Sequence, residues 1–376
     1  MKSKTRGVPR TSARHLTLRD VATRVGVSAK TVSNAYRRPD QLSAELRDRI
    51  MATAAEVGYP GPNPLAAGLV SGRVGAVGVA YANRLSYAFD DPVARELLAG
   101  MAHIAESAQA GLLLLPGSAD PEQRVTALND AIIDGLIAYS LADDDPLLTA
   151  TLTRRLPLVV IDQPRPAELA NHDVNVPWIG VDDRAAARQI AEHLLQLGHR
   201  HLGVISFGLR RHPTRGLVDL ASQQAATYAV TRDRLAGYRD AVESHGLDWS
   251  QVPVFQGTDS TPAEGDAGAS ILLDGTPTPT ALLCLSDRLA EGAARAAARL
   301  HLQIPDDLSL VGFDDALLTA AGLDLTTVRQ PTRAKGEQAA SALLCIVAGD
   351  TPTARPPLTA ELIVRGSTRT PRPLRP

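Results

Sequence analysis

Cysteine is almost missing from this chain: 376 residues hold two, Cys284 and Cys345, both inside apolar runs. Two such thiols build neither a disulfide framework nor a cysteine-rich metal site. They read as reduced, buried and inert, as in a cytoplasmic protein. Aromatic residues make up only 3%. No apolar run reaches membrane-spanning length, and the N-terminus lacks a signal-peptide core, so no membrane partner is expected. A P-loop and a G-x-S-x-G elbow are missing too. The first strand-like run reads Gly75-Ala76-Val77-Gly78, without the G-x-G-x-x-G that a dinucleotide-binding enzyme needs there. His193 and His199 are six apart, which does not put them on one helix face, and no cysteine joins them or His201. They read as structural histidines. No catalytic residue, metal or cofactor is expected.

What is present is unevenly spread. A hydrophobic content of 44% with 21% charge is globular, and the length suits two or three domains. The overall charge of -2 hides a split. Residues 1–73 carry 13 Lys and Arg against 5 Asp and Glu, a balance of +8, and the remainder is correspondingly acidic at -10. A basic head on an acidic body points to a polyanion partner for the head alone. A solvated basic tail over residues 1–15 accounts for Lys2, Lys4, Arg6, Arg10 and Arg14. It does not account for Arg24, Lys30, Arg37 and Arg38, which sit inside helical patterns.

Those patterns fill residues 16–60. Leu18, Val21, Ala22 and Val25 recur on one helix face, with Thr17 and Asp20 as the start and Gly26 as the stop. Ser28 caps a second helix to about Arg37, with Val32 and Ala35 inward. A third begins at Ser43, carries Leu46, Ile50, Ala54 and Val57 on one face, and stops at Gly58. Three short helices with a three-residue turn between the first two make a helix-turn-helix unit. Ala29, Lys30, Thr31, Ser33, Asn34 and Arg37 face outward on the second helix. Small residues allow close approach to a groove, Lys30 and Asn34 suit base edges, and Ser28, Thr31, Ser33 and Arg37 suit phosphates. A plain three-helix bundle is the alternative, but it gives such an outward face no purpose.

Residues 61–73 are rich in proline and glycine and read as a linker. Asn63 and Pro64 can also start a short helix in which Gly68 is unfavourable and Leu69 exposed. Such a hinge helix folds only on a surface, and an exposed Leu69 suits a minor-groove wedge. Both readings stand at this point. From Val74 apolar strand-like runs, among them "VGAVGVAYA", "PLVVID" and "LSLVGFDD", alternate with helical stretches such as Pro92–Ala110 and Asp287–Leu300. This predicts an α/β body with parallel sheets in two lobes, and ligands at the carboxyl ends of strands.

Several motifs in order carry a resemblance: "LTLRDVATRVGVSAKTVSNAYRR", Asn63, Ala66 and Leu69 at N-x-x-A-x-x-L spacing, "RLAGYRDAV", "SDRLAEGAARAAARLHLQIPDDLSLVGFDD" and "LTTVRQPTRAKGEQAASALL". From about Leu16 to Arg365 the chain resembles the LacI/GalR-type bacterial transcriptional regulators. The resemblance implies a homodimer on a palindromic double-stranded DNA operator, most often as a repressor, controlled by a small sugar-like or polyol effector. It implies two periplasmic-binding-protein-like lobes, the first spanning about 74–205 and 328–348, the second about 206–327 and 349–370. Chain crossings then fall near Ser206, Thr327 and Gly349. It makes Ala29, Lys30 and Asn34 base readers and Leu69 the wedge, with Thr17, Ser28, Thr31, Ser33 and Arg37 on the DNA backbone. Arg234, Asp314, Ser286 and Asp287 become effector contacts, with Arg234 starting its helix.

The sequence departs from the pattern in places. The hinge has Ala66-Ala67 where Ala-Arg is common. "DPVA", Asp91 to Ala94, lacks two aromatics that stack on ligands, and Phe89 is the expected substitute. So few aromatics leave little to stack on a sugar ring. Residues 209–232, with Arg210, Arg211 and His212, either reach the cleft or form a surface loop. The rival functions are a solute-binding protein without a DNA role and a dinucleotide-binding α/β enzyme. The basic head and the missing glycine motif speak against them.

Overall fold

A computed structural model describes residues 16–62, 73–82, 84–117, 120–169, 176–316 and 322–372. The basic tail and the hinge, with Asn63, Ala66 and Leu69, lie outside the described residues. The chain divides into two compact units after Val74.

The head holds α1 (Leu18–Val25), α2 (Ala29–Arg37) and α3 (Ala44–Val57). Their starts have visible causes. The Thr17 N–H and hydroxyl both donate to Asp20 Oδ2 at 2.8 Å. Ser28 Oγ accepts from the Thr31 N–H at 3.0 Å, and Ser43 Oγ from the Leu46 N–H at 3.3 Å. Gly26 and Gly58 end α1 and α3 at φ 78° and 72°, where a Cβ is unwelcome. Val21, Val32 and Ile50 are fully buried among Ala22, Ala35, Ala54 and Tyr59. Leu18, Val25, Leu46 and Val57 pack around them half-buried.

The body is built on two sheets. The first contains β1 (Ala76–Tyr81), β2 (Gly111–Leu114), β3 (Leu136–Tyr139), β4 (Leu158–Ile161) and β5 (Trp178–Ile179). Its order is β2-β1-β3-β4-β5, and every neighbouring pair is parallel. Helices α4 (Leu85–Asp90), α5 (Pro92–Ser107), α6 (Pro121–Asp130), α7 (Pro146–Thr153) and α8 (Pro166–Leu169) join its strands. Three of them begin at a proline whose preceding aspartate, Asp91, Asp120 or Asp145, accepts a first-turn N–H. Proline has no amide hydrogen to waste there. Apolar clusters cover both faces, as buried parallel strands require.

α9 (Asp183–Gln196) leads into the second sheet. That sheet contains β6 (Leu202–Ser206), β7 (Gly216–Leu217), β8 (Val254–Gln256), β9 (Ala281–Cys284) and β10 (Ser309–Val311), ordered β10-β9-β6-β8-β7 with β7 antiparallel. Helices α10 (Leu220–Gln224), α11 (Ala229–Ser244), α12 (Pro262–Leu273) and α13 (Asp287–Arg299) connect them. β11 (Thr327–Arg329) then pairs antiparallel with β12 (Glu361–Ile363), and α14 (Thr332–Ala348) runs between them. α14 returns to the first lobe and crosses α5 at two glycines. A Cβ on Gly100 would sit 2.2 Å from the Arg333 carbonyl oxygen, and one on Gly336 2.1 Å from that of Leu97.

The lobes divide differently from the sequence expectation. Ala187, Ile190, Ala191 and Leu194 of α9 belong to the second lobe's core, as do Leu202, Val204 and Ile205 of β6. The first crossing therefore lies near Val181, not near Ser206. Leu325 and Val328 also pack in the second lobe, so the second crossing follows β11 near Gln330. The third lies near Leu358, which bridges Val181, instead of at Gly349. α9 looked like a first-lobe helix because it precedes a strand-like run. Its apolar face matches the sheet that comes after it.

Candidate functional site

On the head, Lys30, Arg37 and Arg38 of the α2 region are exposed, which suits a polyanion surface. Asn34 is half-buried and donates to Gln41 Oε1 at 3.4 Å, a long and replaceable bond. Ala29 is half-buried against the head core. Thr31 and Ser33 are also half-buried, and the Ser28 and Thr31 hydroxyls lie 2.8 Å apart. Thr17 and Ser28 already hold their own helix starts.

In the body, a cavity of about 680 Å³ opens between the two lobes. Its wall is made where strands end, as parallel α/β sheets dictate. Tyr81 closes β1, Tyr139 closes β3 and Asp162 follows β4; on the other lobe Ser286 follows β9 and Asp314 follows β10. Four of the seven tyrosines in the chain, Tyr81, Tyr87, Tyr139 and Tyr228, line this one space. The rings of Tyr81 and Tyr139 are 5.0 Å apart, and those of Tyr81 and Tyr87 6.5 Å. A chain poor in aromatics concentrates them here.

The floor is a chain of buried polar groups. Arg234 Nε donates to Asp183 Oδ1 at 2.9 Å, and its Nη1 donates to the Leu285 carbonyl at 2.6 Å and lies 3.8 Å from Asp314 Oδ1. Gln330 Nε2 donates to that same Asp314 oxygen at 2.6 Å. Lys335 Nζ donates to Gln330 Oε1 at 2.5 Å and to Asp162 Oδ1 at 2.6 Å. The run crosses from the second lobe to the first. Burial pushes the Asp314 carboxyl up to about 7, against the opposing pull of Arg234. Burial also acts to raise Asp183, but Arg234 and Arg165 outweigh it and hold that carboxyl below its ordinary range. Asp314 sits at φ 121° and Asp315 at φ 54°, backbone positions that cost a non-glycine residue about 1–3 kcal/mol each.

Of the expected effector residues, Arg234, Asp314 and Ser286 line the cavity together. Arg234 lies inside α11, one turn and more past its start at Ala229, not at the start of the helix. Phe89 does not line the cavity. It is 56% exposed on the outer side of α4, while Tyr87, two residues earlier, faces in. Residues two apart on a helix point to different faces. Asp287 is also a correction. It is buried away from the cavity, accepting from Thr327 Oγ1 at 2.6 Å and from the Ala316 N–H at 2.8 Å. It pins the 314–316 turn. Arg210 and Arg211 do reach the cavity, and Arg211 pairs with Asp144 of the first lobe at 3.3 Å.

Sequence reasoning missed Tyr81, Tyr87, Tyr139, Asp162, Gln330 and Lys335. Tyr81 and Asp162 lie at the ends of quoted strand runs, and that position was the available signal. Nothing in the sequence marked Lys335. His199 bonds Thr280 and Ser309, and His193 bonds Thr368, which gives these two a structural role. Among the described residues no group of three or more potential ligands could hold a metal, and no helix is long and apolar enough to cross a membrane. Burial pushes the Cys284 thiol well up, which leaves it inert.

The two units correspond to two known families. Residues 17–63 match the bacterial regulatory proteins of the lacI family, and residues 191–368 match a periplasmic binding protein-like domain. The chain is 39% identical over 336 residues to the HTH-type transcriptional regulator Rv3575c of Mycobacterium tuberculosis, covering 89% of this chain and 92% of that one. A LacI-family regulator of Corynebacterium glutamicum is similar in structure, with a TM-score of 0.71 at 33% identity over 95% of this chain and 99% of that one. The transcriptional regulator CelR, solved as a complex with cellobiose, gives a TM-score of 0.66 at 26% identity over 94% and 99%. This is a helix-turn-helix DNA-binding regulator with a periplasmic binding protein-like body. The chain belongs to the LacI family of transcriptional regulators.

Proposed function

We propose that this regulator binds a palindromic operator as a homodimer and represses from it until a neutral polyhydroxylated effector enters the cleft between its lobes. The observation that carries the effector class is the paired charge of the cleft. Arg234 faces Asp183 and Asp314, Lys335 faces Asp162, and Arg211 faces Asp144. An anionic ligand that meets these three cations meets their carboxylates as well. A hydroxyl both donates and accepts, and suits such alternation. The tyrosine wall supplies faces for the apolar side of a sugar ring. The cellobiose held by CelR is a ligand of this chemistry.

In the head, Ala29, Lys30 and Asn34 read bases, while Thr17, Ser28, Thr31, Ser33 and Arg37 hold the backbone. Leu69 is the minor-groove wedge. The exposure of Lys30 and Arg37 supports the first two assignments, and the linker sequence supports the third. The test uses the full chain. An operator is selected from random DNA, then released by titrating sugars and polyols. Palindromic selected sites and release by a neutral polyol are expected. Selection of asymmetric sites, or release only by phosphorylated or carboxylated compounds, contradicts the reading.

A further inference from the structure

Lys335 is the least expected group in the cleft. It sits in the first turn of α14, is 2% exposed, and still borders the cavity. Burying an ammonium is expensive unless its donors are satisfied. Two of its three N–H donors go to Asp162 Oδ1 and Gln330 Oε1. The third has no acceptor among the described residues. α14 is fixed where it is, because Gly336, the next residue, lies against the backbone of α5. The lysine therefore cannot withdraw by shifting its helix. Its two acceptors hold it from both sides: Asp162 belongs to the end of β4, and Gln330 to the crossing between the lobes.

We propose that Lys335 is an effector contact, donating its third N–H to a hydroxyl of the neutral polyol and making, with Asp162, a first-lobe counterpart to Arg234 and Asp314. This rests on the effector class argued above and extends it. The two pairs put a fixed donor beside a fixed acceptor on each lobe, joined by Gln330, which donates to Asp314 and accepts from Lys335. A ring with hydroxyls on both edges satisfies both pairs at once and holds the lobes together. A ligand with hydroxyls on one edge satisfies only one pair. Lys335 thus sets a requirement for a particular hydroxyl. It is not a general cation, because Asp162 already neutralises it.

The experiment is calorimetric titration of the full chain with D-glucose, cellobiose and ribitol, and with gluconate and glucose 6-phosphate as anionic counterparts. The tightest neutral binder is then compared with its single-deoxy analogues on wild type and on Lys335→Met. Loss of a hydrogen bond to a charged donor weakens binding about tenfold to a hundredfold. Lys335→Met should show that loss for the parent compound. One deoxy analogue should be weak on wild type and lose nothing further on the variant, which a merely structural lysine would not produce. Should the variant lack a cooperative thermal transition, Lys335→Gln, whose amide still donates to Asp162, replaces it. Equal affinities on wild type and variant, or uniform weakening of every analogue, overturn the role of Lys335 and leave the effector class standing. Binding of the anionic compounds alone, or of none of the panel, overturns the effector class and this proposal with it.

Discussion

Asp314 is one carboxylate pulled in both directions. Burial raises its pKa to about 7, Asp91 pushes the same way, and Arg234 and the Gln330 amide oppose them. A buried carboxyl with a raised pKa binds its proton in the folded state at a pH where the unfolded chain has released it. Between about pH 4 and 7 the folded protein therefore holds more protons, and unfolding free energy falls as pH rises through that window, then levels. Asp314→Asn should flatten that part of the profile in urea unfolding at pH 5, 6, 7 and 8; an unchanged slope would assign the proton elsewhere. As the effector contact proposed above, Asp314 is the stronger acceptor for a hydroxyl when ionised. Effector affinity should therefore drop as pH falls below about 7 in wild type and be level in Asp314→Asn, as titration calorimetry at those pH values would show. Arg234 is a different case. Its Asp183 partner is buried beside it and keeps Arg165 alone in Arg234→Met, so the variant should cost about 1–3 kcal/mol of stability besides any loss of binding.

At the scale of elements, helix starts and crossings set what a substitution does. Ser43→Ala removes the oxygen that accepts the Leu46 N–H and should lower head stability by about 1 kcal/mol. Gly100→Ala is more severe, because its Cβ would meet the Arg333 backbone oxygen and no rotamer relieves that. Overpacking of this kind costs about 1–3 kcal/mol, and the thermal midpoint of the body should fall while that of the head, read by far-UV dichroism of its DNA complex, stays. The head was legible almost to the residue, since caps, left-handed stops and a 3.6-residue stripe are local signals. The longer strands of the body were legible as apolar runs. β5, β7, β8, β11 and β12 were not, being two or three residues long; β10 is as short but sits in the longer apolar run Leu308–Phe313. The lobe crossings were misplaced because nothing local tells α9 which sheet will bury its apolar face. Ser286, Arg234 and Asp314 were legible through their motifs. Phe89 was not excluded, since two positions on a short helix differ only in direction, and Lys335 was invisible because its partners lie 5 and 173 residues away.

The whole molecule joins a basic head of +8 to a body of opposite sign at -10. Each phosphate neutralised by the head releases counterions, so affinity for any DNA falls steeply with salt, while base contacts made by uncharged atoms add affinity without adding slope. The acidic body repels DNA and confines it to the head. This separates two kinds of residue on α2 that are four positions or fewer apart. In the proposed reading the exposed Arg37 acts through phosphate; Asn34 has a neutral amide, and its bond to Gln41 is long enough to give up on docking. Arg37→Ala should reduce the slope of log affinity against log salt by about 1 on every sequence alike. Asn34→Ala should leave the slope unchanged and cost about 1–3 kcal/mol on the selected operator only, relaxing preference at one base position in each half-site. Fluorescence anisotropy on operator and scrambled duplexes between 50 and 300 mM salt reads both quantities. A change of slope in Asn34→Ala, or an unaltered set of selected bases, would move base reading off Asn34 and leave Lys30 as the reader on this helix, with a charge that makes it contribute to slope and sequence together.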